Sequence, residues 1–259
     1  MNDHSHHADH VLAALWEDVA EQEGAGRAHA LCHLGEYFFH SGDVDHALAA
    51  ADAAKELFLA AGDIDEAAHC DHNAAVALHR MGRFDEAVAR HEDAIAGHMT
   101  GGEWAVAAAM CRMHLAALHE EADRLVDART QLRAADEEFQ RLGSPGLQGE
   151  ALLGRSRIAW KRFRFRAALE AATKAVPLLE AGAPVRLVAE GHVAVARALA
   201  ALGRHERAVT AWRRARAVLD ARRRGLGGDL RPGARRADGR RRRRHTRRSS
   251  GGRAGGAPC

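Results

Sequence analysis

Gly42, Gly82, Asp123, Phe163 and Gly203 stand 40, 41, 40 and 40 residues apart, and alanine follows each of them five residues later, at Ala47, Ala87, Ala128, Ala168 and Ala208. A fixed period of this length describes a stacked array in which each unit buries its apolar face only against its neighbours. Four of the five anchors are residues that end helices or form turns. The fifth, Phe163, is a bulky residue at a place where a turn is expected.

Within each period the apolar residues advance in steps of three and four. In the second unit they fall at Ala74, Ala75 and Leu78, then at Phe84, Ala87, Val88, Ala94 and Ile95. That is the pattern of two helices, each with one buried face, joined by a short turn. The first unit repeats it with Leu31, Leu34, Gly35, Phe38, Val44, Ala47 and Ala54, and the fifth with Val195, Ala196, Leu199, Ala208, Trp212 and Ala215. Small residues at the crossings let paired backbones approach, while larger ones fill the gaps between pairs. Acidic residues just past the turns (Asp43, Asp85, Glu86) suit the positive end of a second helix.

Leu34-Gly35, Phe38, Gly42, Ala47 and Ala54 in unit one, and Ala75, Leu78, Gly82, Phe84, Ala87 and Ala94 in unit two, resemble the tetratricopeptide repeat. The likeness covers about residues 27 to 222. It implies an all-α solenoid of five helix-turn-helix units in a right-handed superhelix, with units at 27–62, 64–101, 103–143, 145–182 and 184–222. The period is about six residues longer than the usual one, and the large aromatic early in the first helix is missing. The longer period resembles that of kinesin light chains and of bacterial peptide-sensing regulators alike. Ahead of the array, Val11, Leu12, Leu15, Trp16 and Val19 mark a capping helix over 10–26, closed by Gly24-Ala25-Gly26. Residues 1–9, rich in histidine, and the Arg/Gly-rich segment 223–259 have almost nothing to bury and are expected to be disordered. The latter is either a natural continuation or the product of a shifted reading frame.

Composition narrows the function. Hydrophobic residues make up 47% but aromatics only 5%, as alanine-rich helix pairs require. The polar start MNDHSHHADH is not expected to be a secretory signal, and no apolar stretch is long enough for a bilayer. Cys32, Cys70 and Cys111 fall on the first helices of successive units, and Cys259 stands alone. No disulfide framework is expected, and a cytoplasmic location fits. The net charge of +3 hides a gradient of −18 over 1–154, +9 over 155–221 and +12 over 222–259, which can steer partners.

Arrays of helix pairs bind rather than catalyse, and GxxxxGK[ST], HExxH, GxSxG and CxxC are all missing from the sequence. The expected function is a non-catalytic interaction scaffold holding a partner's peptide or helix in the concave groove, without a cofactor. By the repeat register the groove-lining residues of units one to three include His29, His33, Glu36, His69, His72, Asn73 and His114. Imidazoles both donate and accept hydrogen bonds and titrate near neutrality. Asn73 stands where peptide-holding members of the resembled family carry an asparagine that bonds the ligand backbone. The family's carboxylate clamp is not expected, because Cys32, Glu36, Met110 and His114 occupy its other places.

Two other readings have sequence support. The first is a peptide-sensing module that regulates transcription, with the basic end touching nucleic acid. The segment Arg157–Leu169 interleaves Trp160, Phe163 and Phe165 with Lys161 and four arginines, and Arg240–Arg244 adds weak nonspecific affinity. The aromatics also suit helix packing, and no helix-turn-helix precedes the repeats. The second is a metal site on His29/His33 or His69/His72 with Cys32 or Asp71. These spacings match no established metal motif, so no metal site is expected. His4, His6, His7 and His10 suit adventitious metal only.

Overall fold

The computed structural model describes residues 3–98 and 104–223. Eleven helices and no strand occur among the described residues. After α1 (Asp3–Glu21) come five antiparallel pairs. These are α2 (Gly24–Ser41) with α3 (Val44–Ala61), α4 (Ile64–Arg80) with α5 (Phe84–Gly97), and α6 (Ala105–Glu121) with α7 (Leu125–Arg141). The last two are α8 (Pro145–Lys161) with α9 (Phe165–Glu180), and α10 (Val185–Ala201) with α11 (His205–Arg223). Each helix packs mainly on its neighbours in sequence, the arrangement of a solenoid. First helices also touch one another, α4 with α6 and α8 with α10. No described helix is long and apolar enough to cross a membrane.

The turns explain the period. At all five anchors the first helix ends in the left-handed region, with φ of 90° at Gly42, 74° at Gly82, 56° at Asp123, 56° at Phe163 and 73° at Gly203. The next residue's N–H reaches back to the same helix carbonyl each time, as in Asp43 N to Phe38 O at 2.8 Å and Arg164 N to Ala159 O at 2.9 Å. This closes the terminal carbonyls of the helix. Phe163 therefore makes the turn its register demands, despite its side chain, which is 81% exposed. A non-glycine residue in this region loses roughly 1–2 kcal/mol. Phe163→Gly is expected to raise the urea midpoint, with a gain of about 1 kcal/mol. Asp123→Gly should gain less, since Asp tolerates this conformation better. An unchanged or lowered midpoint for Phe163→Gly would show that the exposed ring contributes packing.

The alanines five residues later are buried at all five places, with Ala87 and Ala128 fully covered. Close approach at the crossings is real. A Cβ on Gly97 of α5 would stand 2.5 Å from the Ala68 Cβ of α4. At one end of the array, Leu12, Leu15 and Val19 of α1 cover Leu34 and Phe38. This helix starts at Asp3, earlier than the expected residue 10, because residues 3–9 carry too few apolar side chains for periodicity to register them. It also stops before the expected residue 26. Gln22 and Glu23 separate it from α2, which starts at Gly24 (φ 53°) and includes Ala25-Gly26. At the other end Val209, Trp212 and Leu219 of α11 are exposed. The segment expected to be disordered lies, beyond Arg223, outside the described residues.

Candidate functional site

Residues ten, nine, six, three and two places before each anchor share one face of the first helices. Two hollows open on that face. The first, of about 210 Å³, has Gly35, Ala47 and Ala51 in its floor and Cys32, Glu36, Phe39, His72, Asn73, Val76 and His114 around it. The second, of about 480 Å³, lies between α8 and α10 against Leu153, Arg157, Trp160, Lys161, Val193 and Arg197. Equivalent register positions build both: Cys32, His72, Leu153 and Val193 stand ten before their anchors, and Glu36, Val76, Arg157 and Arg197 six before. The groove thus changes along its length from histidine, asparagine and glutamate to arginine and tryptophan.

Of the seven residues expected in the groove, Glu36, His72, Asn73 and His114 meet at the first hollow. His29, His33 and His69 lie outside its wall. His29 sets its ring against Phe58 at 4.9 Å, His33 is exposed, and His69 stacks on His72 at 6.1 Å with Trp104 at 6.5 Å. Asn73 is half-buried, and no described residue hydrogen-bonds its amide, which opens into the hollow. At the other end, Glu120 of α6 is buried and pairs with Arg157 at 2.8 Å and Lys161 at 2.9 Å. Arg197 lies over the Trp160 ring at 4.7 Å, and Trp160 packs on Phe165 at 4.9 Å. The basic residues here are partly neutralised, and two of the three aromatics pack, with Phe163 left exposed.

His72 does more than line the groove. Its Nδ1 lies 3.2 Å from Cys111 Sγ, in the seam where α4, α5 and α6 meet. His91 of α5 is buried there with its Nδ1 unpartnered, and its ring centroid is 5.3 Å from that of His72 and 5.7 Å from that of His114. Burial, aided by neighbouring imidazoles, lowers His72 and His91 to about 3. Both are therefore neutral near pH 7. Burial also lowers His114, and pushes the Cys111 thiol up to about 12. Two more seam histidines, His98 and His119, are buried with unpartnered ring nitrogens and are likewise lowered by burial.

Sequence reading overlooked His91 because it looked for sites on first helices only. The signal was present: nine residues past the other anchors stand Ala51, Leu132, Ala172 and Trp212, so a histidine breaks an otherwise apolar column. The cysteines also divide. Cys70 and Cys111 both stand twelve before their anchors and are buried, whereas Cys32 stands ten before and borders the groove. All three are free thiols. The Cys32 and Cys70 sulfurs are 3.8 Å apart, and the contact between them lowers Cys32 and raises Cys70. Among the described residues neither His29/His33 nor His69/His72 gathers a ligand set with Cys32 or Asp71. Asp71 is committed to an ion network, 2.7 Å from both Lys55 and Arg90, with Arg90 also 2.6 Å from Asp52.

No protein-family model and no curated protein matches the sequence. Solved structures do match. The crystal structure of BtubC (BKLC) from P. vanneervenii superposes with a TM-score of 0.74 at 15% identity, covering 96% of this chain and 99% of that one. A Podosopora anserina putative kinesin light chain with nearly identical TPR-like repeats gives 0.64 at 15% identity, over 79% and 100%. The Rap conjugation gene regulator of plasmid pLS20, in complex with the Phr* peptide, gives 0.55 at 17% identity, over 78% and 55%. At such identities the likeness establishes fold. The chain is a tetratricopeptide-type helical repeat array.

Proposed function

We propose that the array is a non-catalytic interaction module that holds a segment of a partner protein along the first helices. The observation that carries this reading is Asn73. Its amide stands half-buried and without a hydrogen-bond partner among the described residues, beside an apolar floor of Gly35, Ala47 and Ala51. A side-chain amide has donors and acceptor to offer a peptide backbone, and the floor suits one apolar side chain. Glu36 beside it, and Arg197 toward the other end, set a direction: a segment with a basic residue near the first hollow and an acidic one near the second fits best. That a neighbour of the same fold is held in complex with a peptide supports the reading. A cytoplasmic location and a role in transcription remain compatible with it. The pairing of Arg157 and Lys161 with Glu120 leaves few free cations in the groove for a nucleic-acid backbone.

Peptides selected from a displayed random library against the full chain test this. Their affinity is expected to fall at least about tenfold with Asn73→Ala. It should vanish with Val76→Arg, which fills the hollow, and stay unchanged with Arg133→Ala on α7. Selected peptides indifferent to Val76→Arg would place the binding surface elsewhere.

A further inference from the structure

The seam between the second and third helix pairs brings together His72, His91 and Cys111, with one ligand atom from each within 4.8 Å of the others. Among the described residues no other group of three or more histidine, cysteine or carboxylate side chains gathers so closely. They come from three different helices, α4, α5 and α6. His91 and Cys111 are each 1% exposed, and His91 Nδ1 is buried with no hydrogen-bond partner. Packing does not demand these residues. The other units fill the His91 column with Ala51, Leu132, Ala172 and Trp212, and the Cys111 column with Ala30, Cys70, Ala151 and Gly191. His114 of α6 stands beside them, its ring centroid 5.0 Å from that of His72, and is open to the groove.

We propose that His72, His91 and Cys111, completed by His114, bind a divalent transition metal of the Zn2+ class and fasten the second helix pair to the third. Three imidazoles and one sulfur, with no carboxylate in the set, select a borderline-soft ion over Mg2+ or Ca2+. A tetrahedral site with metal–nitrogen bonds near 2.0–2.1 Å and metal–sulfur near 2.3 Å puts ligand atoms roughly 3.3–3.6 Å apart. The His72–Cys111 pair is already at 3.2 Å, the ligand atoms of His72, His91 and Cys111 need only draw in from within 4.8 Å, and His114 approaches from the groove side. On binding, the metal–sulfur bond replaces the Cys111 S–H bond and the proton leaves to solvent. The imidazoles enter as neutral ligands and release none. Asn73 and Glu36 stay free on the groove wall, so this site does not depend on the peptide reading.

The test uses the untagged 259-residue chain, purified without metal resin and stripped with chelator. Co2+ is expected to bind one per chain, with the visible bands of a tetrahedral ion and a thiolate charge-transfer band in the near ultraviolet, and Zn2+ should displace it. Cys111→Ser should remove the charge-transfer band, and His91→Leu and His114→Ala should each weaken binding at least about tenfold. Zn2+ should raise the melting temperature of the parent and not of Cys111→Ser, with circular dichroism confirming that each variant is helical. The Cys32→Ser/Cys70→Ser double variant should keep the band. The parent spectrum needs no variant to fold. Co2+ bound without a thiolate band, binding below one per chain, or a band that follows Cys32 and Cys70 instead of Cys111 overturns the proposal.

Discussion

Phe139→Ala should destabilise the array by about 3–5 kcal/mol, and Phe58→Ala by a similar amount. The two rings occupy the same register position, sixteen residues past Asp123 and Gly42, and both are fully buried. Phe58 of α3 reaches Ala28 of α2 and Ala67 and Cys70 of α4. Phe139 of α7 reaches Ala109 of α6 and Ala151 of α8. Each ring thus ties its own pair to the next one, among alanines too small to close the cavity that truncation leaves. Leu179 does the same between α8 and α10, packed on Leu152 and Val188. Leu219, at the last such position, is 43% exposed, so Leu219→Ala should cost less than about 1 kcal/mol. Urea unfolding followed by circular dichroism measures the series, with hydrogen exchange showing whether the loss is confined to the pairs on either side. Equal losses for Phe139→Ala and Leu219→Ala would deny that this column holds the stack together.

That column was open to reading from the sequence, because a 40-residue period lets each residue be compared with four equivalents. Alanine at the +5 positions, the left-handed turn at Asp123 and even the turn at Phe163 follow from register alone, since the stack imposes one backbone path on every unit. The expectation that Glu36, His72, Asn73 and His114 share a face came from the same comparison, and all four line one hollow. Other features depend on departures from register, and a search for sameness passes over them. His91 stands in an otherwise apolar column, and His98 takes the position of Phe58 and Phe139. His98 stacks on Trp104 at 5.3 Å with the rings 6° from parallel, while neither of its nitrogens has a hydrogen-bond partner among the described residues. His72 borders the first hollow, but its contact into the seam depends on Cys111 from the next pair. Side-chain contact across a pair junction has no one-dimensional signature, so the seam exists only in the folded stack.

The same histidines make the metal-free array acid-sensitive, and at the junction of the second and third pairs first. In the folded chain His72 and His91 hold off protonation to about 3, through burial and then the charge of neighbouring imidazoles, and burial lowers His98 and His119 as well. Unfolded, each imidazole takes up a proton near its ordinary value of about 6.5. Between those limits the unfolded state binds more protons than the folded one. Stability is therefore fully present above about pH 6.5 and falls as the pH drops toward 3, by up to about 1.4 kcal/mol per pH unit for each such histidine. With His72 and His91 both contributing, the loss approaches roughly 3 kcal/mol per unit, a large share of the 5–15 kcal/mol typical of a folded domain. The charged groups around the seam modify this only in part. Asp65 approaches His98 Nδ1 at 4.0 Å and favours its charged form, whereas Arg124 disfavours charge on His119. Hydrogen exchange between pH 7 and 5 should show α4, α5 and α6 losing protection ahead of α8, α9 and α10. In that second region the buried His192 has its Nε2 3.3 Å from a carboxylate oxygen of Glu180. His98→Phe, which restores the ring found at the equivalent positions, should make the acid limb shallower and raise stability at pH 6 by about 1–2 kcal/mol. Protection lost uniformly along the array, or first from α8 to α10, would mean that the buried imidazoles of the seam do not govern its response to acid.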